Sequence, residues 1–129
     1  MKKKIKKFKK RSGSLIPFSF KRDMPFKVKR IFFINGKKNF IRGQHAHKRC
    51  SQYLFSLLGK IEVKIINKKG QKKIILNHKK NYGFLIKPLN WISIKFLTKK
   101  TVLMVACDQE YVYRDYIENF SDFKKIVKL

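Results

Sequence analysis

Two of the chain's three histidines, His45 and His47, stand one residue apart in the stretch RGQHAHKRCSQYLFSLLG. On a β-strand, side chains two residues apart point to the same face, so the two imidazoles would lie next to each other. Imidazole titrates near neutral pH and is also a common metal ligand. The spacing therefore allows three roles: a metal site, an acid–base site without metal, or two histidines with no chemical role.

The residues that follow the histidine pair argue against a metal. Four residues separate His47 from Gln52 and six separate Gln52 from Gly59, a spacing that resembles the first metal-binding motif of the cupins. That motif has a glutamate where this chain has Gln52, and residues 82–96, which resemble the second motif, contain no histidine. A divalent transition metal takes three or four N, O or S ligands, usually with a carboxylate or thiolate among them. We therefore predict no metal and no cofactor.

Two neighbouring imidazoles without a metal are suited to moving protons. Each disfavours protonation of the other, which keeps at least one of them neutral and able to act as a base. Such a pair can remove a proton from a carbon beside a carbonyl and return one to the adjacent carbon. Positioned acid–base groups accelerate steps of this kind by roughly 10²–10⁴-fold.

The elements that would position the pair are short β-strands. In PFKVKRIFFING, alternation from Phe26 predicts one face formed by Phe26, Val28, Arg30, Phe32 and Ile34. Further apolar runs, YLFSLLGKIEVKII, QKKIIL, YGFLIKP, WISIKFL and TVLMVA, follow with turn signals between them, including a hairpin turn at NKKG and a hinge at glycine 59. Seven or eight short strands without helical periodicity predict an all-β, antiparallel jelly-roll barrel.

The two ends of the chain depart from this pattern. Residues 1–12 are rich in lysine and predict a solvated basic tail, which leaves residues 13–129 as a single domain. Near the other end, Tyr116, Phe120, Phe123 and Val127 recur at helical spacing, with Ser121 as a candidate N-cap. We expect a short C-terminal helix that packs on the barrel.

Composition restricts the class of protein further. The formal net charge is +27, but 28 of the 34 basic residues are lysines and they are scattered along the chain. Nucleic-acid readers usually cluster their basic residues and favour arginine, so we predict no nucleic-acid partner. There is no run of eighteen apolar residues and no secretory segment, and the two cysteines, Cys50 and Cys107, are far apart in the chain. These features predict a cytoplasmic protein with reduced thiols that does not cross a membrane.

Three blocks, PFKVKRIFFI, RGQHAHKRCSQ and YVYRDYIENFSDF, together resemble one family in their order and spacing. That family is the sugar 3,4-ketoisomerases that act on dTDP-4-keto-6-deoxyglucose, a metal-independent branch of the cupins. The resemblance covers about residues 14–126. It implies a cupin jelly roll that forms a homodimer with exchanged N-terminal strands.

The resemblance also implies a reaction and a pathway. The expected substrate is a dTDP-linked 4-keto-6-deoxy sugar, which His45 and His47 would convert to a 3-keto-6-deoxyhexose through an enediol, with His45 favoured as the base at carbon. The product would feed the synthesis of amino deoxysugars for cell-surface glycans. The alternative function is a non-catalytic cupin that binds nucleotide sugars and supports a partner enzyme.

The resemblance places Arg30 and Arg42 near the substrate, and we expect Gln52 to bind there by a hydrogen bond to a sugar hydroxyl or to a histidine. For Arg30, the alternation predicts an apolar face, and a buried arginine needs an anion, which a nucleotide diphosphate would supply. A structural ion pair with Glu62 or Asp23 is the alternative for this arginine. The chain departs from the family where phenylalanines 32 and 33 replace tyrosines, where valine 112 and tyrosine 113 replace Asp-Glu, and where glutamate 118 replaces arginine.

Overall fold

The computed structural model describes residues 2–129. Most of this part of the chain is in short strands, and it contains two short α-helices and one 3₁₀ turn. The strands are β1 (Lys2–Lys4), β2 (Phe8–Lys10), β3 (Gly13–Leu15), β4 (Arg30–Gly36), β5 (Ile41–His47), β6 (Gln52–Leu58), β7 (Lys60–Asn67), β8 (Gly70–Asn77), β9 (Tyr82–Ile86), β10 (Trp91–Phe96), β11 (Thr101–Cys107) and β12 (Tyr116–Ile117). The helices are α1 (Phe20–Asp23) and α2 (Phe120–Val127).

Two five-stranded sheets form the body of the protein. The first has the strand order β1-β9-β6-β11-β4 and the second the order β12-β5-β10-β7-β8. Neighbouring strands pair antiparallel in both sheets. Because successive strands pass from one sheet to the other, the two sheets face each other as a jelly-roll barrel, which is the predicted architecture.

The main core fills the space between the sheets. Strand β7 shows how the sequence produces it, because Ile61, Val63 and Ile65 are at most 3% exposed while their neighbours are partly exposed. Both sheets contribute to the same cluster, whose buried aliphatic and aromatic members are Leu54, Ile61, Val63, Ile65, Leu76, Phe84, Ile86, Ile92, Ile94, Phe96, Leu103 and Val105. Burial of these side chains is the main stabilising contribution to the barrel.

The two predicted turns are confirmed. Strands β7 and β8 form a hairpin in which Asn67 pairs with Gly70. Gly59 separates β6 from β7 and has a φ of 82°, and a Cβ atom at this position would collide with the carbonyl oxygen of Lys100 and the hydroxyl of Thr98. Glycine is required here because other residues have neither the space nor the backbone freedom.

The N-terminal residues lie against the first sheet. Strand β1 pairs with β9, and Ile5 is only 1% exposed, so these residues are more ordered than the solvated tail expected for residues 1–12. Ile5 packs with Met24, Tyr53 and Phe55 on the outer face of the sheet. The lysines around Ile5 are exposed or half-exposed, and for this reason composition alone did not reveal the strand.

The face predicted to run from Phe26 to Ile34 is divided in the structure. Strand β4 begins only at Arg30, and Phe32 and Ile34 pack on the core between the sheets. Phe26 and Val28 instead pack on the cluster at the outer face of the first sheet. The prediction that all five side chains share one face is therefore wrong, because the chain changes direction relative to the sheet before Arg30.

Helix α2 confirms the predicted C-terminal helix but begins two residues earlier than the candidate cap implied. The N-cap is Asn119 rather than Ser121, and its side-chain oxygen accepts a hydrogen bond from the backbone N–H of Asp122 at 3.0 Å. Phe123 and Val127 pack with Trp91 on the outer face of the second sheet. Within residues 2–129, no helix has the length and apolar character needed to span a bilayer.

Candidate active site

A β-bulge positions the histidine pair on strand β5. Gly43 has a φ of 89° and Gln44 a φ of 50°, and the pairing of β5 with β10 shifts register beside them. Bulges of this kind redirect the side chains that follow. Ala46 points outward into the cluster under helix α2, so His45 and His47 on either side of it point into the barrel.

The two imidazoles lie edge to face, with 5.0 Å between their ring centroids and 89° between their planes. His47 is 5% exposed and His45 is partly buried. The predicted proximity of the two rings is therefore present in the structure, on the inner face of the second sheet.

Hydrogen bonds to the Nδ1 atoms determine the tautomer of both rings. Nδ1 of His45 lies 2.8 Å from the carbonyl oxygen of Gly43, and Nδ1 of His47 lies 2.9 Å from Oδ2 of Asp115. Carbonyl and carboxylate oxygens only accept, so each neutral ring carries its proton on Nδ1 and has a lone pair on Nε2. Among the described residues neither Nε2 has a hydrogen-bond partner, although both atoms are buried. Both Nε2 atoms are therefore available as bases.

Burial keeps these bases neutral. It lowers the pKa of His45 below its ordinary value, and the carbonyl of Gly43 opposes this only in part. Burial also lowers the pKa of His47, where Asp115 opposes it and His45 reinforces it. At neutral pH both imidazoles are uncharged, which is the protonation state a base requires.

Asp115 holds His47 in place and is itself firmly held. Its Oδ1 accepts the backbone N–H of Arg49 at 2.7 Å, and its Oδ2 accepts the N–H of Cys50 at 3.2 Å in addition to His47. Asp115 comes within reach of His47 because strand β12, which begins at the next residue, pairs with β5 and places Tyr116 opposite His47. A carboxylate behind an imidazole fixes the ring orientation and stabilises the imidazolium when it forms.

Tyr116 forms one wall of the site. Its ring centroid is 4.3 Å from that of His47 and 5.1 Å from that of His45. Phe32 lines the same cavity without a phenol and Phe33 is 59% exposed, so Tyr116 provides a hydroxyl beside the histidines that the two phenylalanines lack.

A cavity of about 270 Å³ opens beside the pair, at the lower end of the usual size of ligand pockets. Its polar lining comes from Arg42, His45, Gln52, Tyr116 and Glu118. The remaining lining is apolar, from Phe32, Ile34, Leu54, Ile92, Ile94 and Val105. The cavity therefore presents a few polar groups on an apolar wall, as expected for a site that holds a sugar-sized group.

The three residues predicted at the substrate lie in different surroundings. Arg42 is exposed and Gln52 is 4% exposed, and both line the cavity. Arg30 is partly buried outside the cavity lining, and its guanidinium carbon is 5.4 Å from the ring centroids of Phe32 and Tyr111.

The alternative of a structural ion pair for Arg30 is wrong. Asp23 pairs with Arg22 at 3.1 Å, and Glu62 pairs with Lys73 at 3.3 Å. Both carboxylates proposed as partners of Arg30 are therefore engaged elsewhere.

Three groups near the site lie close enough together to be compared with a metal centre. Ligand atoms of His47, Cys50 and Asp115 lie within 4.8 Å of one another. Both oxygens of Asp115 already accept hydrogen bonds, and the pKa of the Cys50 thiol is raised, first by Cys107 and then by burial. A metal ion would have to break the bond between His47 and Asp115, so the donor set does not fit one well.

Asp115 and Tyr116 were not among the predicted site residues. Both residues belong to the motif DYI, which contributes to the family resemblance but by itself does not indicate a site. Asp115 lies 68 residues after His47, so no local pattern connects the two residues.

Comparison with known proteins connects this geometry to a group of enzymes. The family model described as WxcM-like, C-terminal (FdtA) matches residues 1–128. A curated relative, the TDP-4-oxo-6-deoxy-alpha-D-glucose-3,4-oxoisomerase of Aneurinibacillus thermoaerophilus, is 30% identical over 116 residues, which cover 89% of this chain and 83% of the relative.

Solved structures agree with the sequence matches. A histidine mutant of the 3,4-ketoisomerase QdtA from Thermoanaerobacterium thermosaccharolyticum, in complex with TDP-4-keto-6-deoxyglucose, superposes with a TM-score of 0.90. It is 31% identical, and the match covers 99% of this chain and 93% of that chain. A 3,4-ketoisomerase from Helicobacter canadensis has a TM-score of 0.90 at 29% identity, with 99% and 96% covered. The predicted cupin jelly roll with a short C-terminal helix is therefore confirmed.

Proposed function

Because the chain belongs to the WxcM-like, C-terminal (FdtA) family, we propose that it is a sugar 3,4-ketoisomerase that converts dTDP-4-keto-6-deoxyglucose to a dTDP-3-keto-6-deoxyhexose. One observation carries the proposal: two buried imidazoles whose Nε2 atoms are both unprotonated and lack partners in the described structure. Isomerisation of a keto sugar needs such groups, because protons move between two adjacent carbons and between their oxygens.

His45 is the base at carbon in this proposal. It lines the cavity, and its neutral Nε2 would take the proton from C3, forming the C3–C4 double bond of an enediol. The imidazolium, whose proton can exchange with solvent, would then protonate C4. Only a carbonyl oxygen supports Nδ1 of His45, so its imidazolium is less stabilised than that of His47 and gives the proton back readily.

His47 would move the hydroxyl proton. As the C3–H bond breaks, negative charge develops on the oxygen at C4, and a proton is needed there. His47 would take the proton from the hydroxyl on C3 with its free Nε2 and deliver it to the oxygen at C4, so that the carbonyl forms at C3 with no net gain or loss of protons. Asp115 supports this role because its carboxylate stabilises the transient imidazolium.

The other predicted residues would bind the substrate. The exposed Arg42 at the cavity suits the diphosphate, by the planar geometry with which guanidinium groups bind phosphate oxygens. The buried Gln52 would bond a sugar hydroxyl. Arg30, whose charge acts on His47, would lie at the sugar end of the site rather than beside the diphosphate.

The test is turnover with matched histidine variants. The protein is incubated with dTDP-glucose, a 4,6-dehydratase, a 3-aminotransferase and an amino donor, and the 3-amino sugar is measured. We expect product from the wild type, and a loss of about 10²-fold or more with His45→Asn or His47→Asn. His78→Asn is the control, since His78 accepts the N–H of Gly59 away from the site.

Proton exchange separates the enzyme from the alternative of a non-catalytic nucleotide-sugar-binding cupin. In deuterated water, an isomerase that forms an enediol would introduce deuterium at C3 or C4 of the sugar. A binding protein would hold dTDP-sugar without any such exchange, and its affinity would be the only property to change in the histidine variants. Binding without exchange at high protein concentration would contradict the enzymatic proposal.

We also propose that the protein is a homodimer with exchanged β1 strands. Several large apolar side chains are exposed, including Phe8, Leu15 and Phe33 at 53%, 62% and 59%, as expected of a surface that meets another chain. Strand β1 lies at the edge of its sheet and pairs there with β9. Exchange between two copies would keep every one of these backbone contacts.

A designed disulfide distinguishes exchanged from self-paired strands. Lys4 is the register partner of Tyr82, so Lys4→Cys combined with Tyr82→Cys places two thiols on adjacent strands. In an exchanged dimer the oxidised protein would run as two covalently joined chains on a denaturing gel. A monomeric band after complete oxidation would contradict the exchange, and each single variant is the control.

The chemistry of the substrate and product indicates which reactions would come before and after this isomerisation. The substrate requires a dehydratase that generates the 4-keto-6-deoxy sugar. The 3-keto group is the acceptor for an aminotransferase, which leads to amino deoxysugars of cell-surface glycans. Lower yield of the 3-amino sugar in cells that lack this protein, restored by the wild type but not by His45→Asn, would support that position.

A further inference from the structure

Arg30 is a half-buried cation whose charge acts on His47, and it has no carboxylate partner among the described residues. In the part of the chain that the structure describes, the ion pairs of arginine and lysine with carboxylates are those of Arg22 and Lys73. The Nε atom of Arg30 is buried and has no hydrogen-bond partner there. A partly buried cation loses some of its hydration, so an anion close by stabilises it.

Besides the Tyr116 side chain, Arg30 contacts a thiol. Its Nη2 lies 3.5 Å from Sγ of Cys107, at the end of strand β11. Cys107 is fully buried, and the side-chain amide of Gln52 also points at its sulfur, with Nε2 at 3.8 Å. Two donors from two neighbouring strands therefore converge on one sulfur atom.

Cys50 completes the surroundings of Cys107. Both cysteines are at most 3% exposed, belong to one buried cluster, and are free of disulfides. The Cys50 thiol donates to the carbonyl of Ser51 at 3.3 Å and has the Cys107 sulfur as a second acceptor beside it. A neutral thiol is a weak acceptor, whereas a thiolate attracts several donors.

We propose that Cys107 is a thiolate in the resting protein, that it is the counter-ion of Arg30, and that it is a positioning residue holding Arg30 and Gln52 against the sugar pocket. The second half of this inference rests on the proposed function, whereas the charge state of Cys107 does not. The thiolate acts through its two donors and does not contact the reacting atoms.

The charges around the sulfur agree with this assignment. The Cys50 thiol lowers the pKa of Cys107 most, burial opposes it, and Arg30 and Gln52 lower it further. Asp108, an acidic residue beside the two cysteines, helps to raise the pKa of Cys50. Cys50 therefore keeps its proton, and its S–H group lies beside the neighbouring sulfur.

Ultraviolet absorbance of the thiolate tests the charge state without any substrate. The wild-type absorbance minus that of Cys107→Ser, measured between about pH 5 and pH 9, isolates this one group. We expect an inflection near the pKa of about 6 to which Cys107 is lowered. An inflection at or above about 8.5, the ordinary value for cysteine, would overturn the proposal.

Removal of the cation is a second, independent measurement. Arg30→Met removes the charge and keeps much of the apolar volume, so we expect the thiolate inflection to move to higher pH. An unchanged inflection would overturn the pairing of Arg30 with Cys107. Arg22→Met, which removes an arginine that already has its own carboxylate, should leave the inflection where it is.

A matched pair of variants tests the positioning role. Cys107→Asp restores an anion beside Arg30, and Cys107→Asn offers nearly the same shape without charge. We expect kcat/KM of the Asp variant to exceed that of the Asn variant by about tenfold, the usual worth of a hydrogen bond to a charged group. Equal values, or a better Asn variant, would contradict the role of the charge.

The readouts keep the two proposals separate. Where the wild type shows no turnover, the proposed function fails, and the absorbance titration still decides the charge state of Cys107. Where the wild type turns over but the thiolate is absent, only the present inference fails. The thermal midpoints of Cys107→Asp and Cys107→Asn, compared at neutral pH, would show the same preference for charge in folding alone.

Discussion

Asp115→Asn is the substitution with the most specific expected result. The carboxylate accepts three hydrogen bonds, two on Oδ2 and one on Oδ1. An amide has one accepting oxygen and one donating nitrogen, so neither orientation reproduces this pattern. With its nitrogen in place of Oδ1, the amide places an N–H group against the N–H of Arg49, and neither donor has an acceptor there. With its nitrogen in place of Oδ2, it opposes the N–H of Cys50 and forces His47 into the other tautomer.

The magnitude follows from these contacts. Hydrogen bonds to a charged group contribute about 1.5–3 kcal/mol each, and at least one would be lost and replaced by two opposed donors. We therefore expect the free energy of unfolding to fall by about 3 kcal/mol, which leaves a domain with a typical stability of about 5–15 kcal/mol folded. In either orientation the negative charge behind His47 is lost, which would lower kcat by about 10²–10⁴-fold.

The assay pairs turnover with denaturant unfolding. Asp108→Asn is the matched control, because Asp108 also accepts a backbone N–H, that of Ser51 at 2.8 Å, but does not contact a histidine. We expect the control to lose stability without a comparable loss of kcat. If Asp115→Asn remained within about tenfold of the wild-type kcat, the stabilisation of the His47 imidazolium by the carboxylate of Asp115 would be refuted.

Three further predictions follow from the described contacts. Tyr116→Phe keeps the ring against both imidazoles and removes only the hydroxyl, so we expect the thermal midpoint to be nearly unchanged and any loss of kcat to report a role of the phenol. Burial lowers the pKa of His45 and His47 in the folded protein. The unfolded chain therefore binds more protons than the folded chain as the pH falls below about 6.5. The contribution of the two neutral histidines to stability is complete above that pH and is lost as the pH falls. Denaturant unfolding of the wild type should show this slope between about pH 5 and 6.5, and the double variant His45→Asn, His47→Asn should flatten it. Gly59→Ala should cost about 2 kcal/mol or more in unfolding free energy, because the φ of 82° disfavours a side chain and the Cβ would collide with the carbonyl of Lys100; an equal denaturation midpoint for the variant would contradict this.

Local patterns predicted the strands well where one face is buried. The alternation in β7, the hairpin turn between Asn67 and Gly70, and the break at Gly59 all follow from residues adjacent in the chain. The pattern failed before Arg30, where Phe26 and Val28 continue the same alternation but pack on a different layer. Alternation reports that a side chain is buried, and it contains no information on which of two apolar layers receives it.

The ends of the chain show the same limit of local patterns. Strand β1 consists of lysines, and its pairing with β9 depends on backbone hydrogen bonds that composition does not encode. At the other end, the helix was predicted from its apolar spacing, whereas the N-cap is Asn119 because the chain leaves strand β12 there. Both Asn119 and Ser121 have suitable side chains, and only the path of the backbone selects between them.

The amino-acid sequence by itself determined that this is an all-β barrel and that His45 and His47 share a face, because strand alternation is a property of neighbouring residues. The folded chain alone decided what those imidazoles can do. Asp115, 68 residues from His47, selects the tautomer, and Cys107, 77 residues from Arg30, faces the guanidinium. Such contacts join strands that meet only when two sheets close on each other, and the burial that shifts the pKa of each group exists only after that closure.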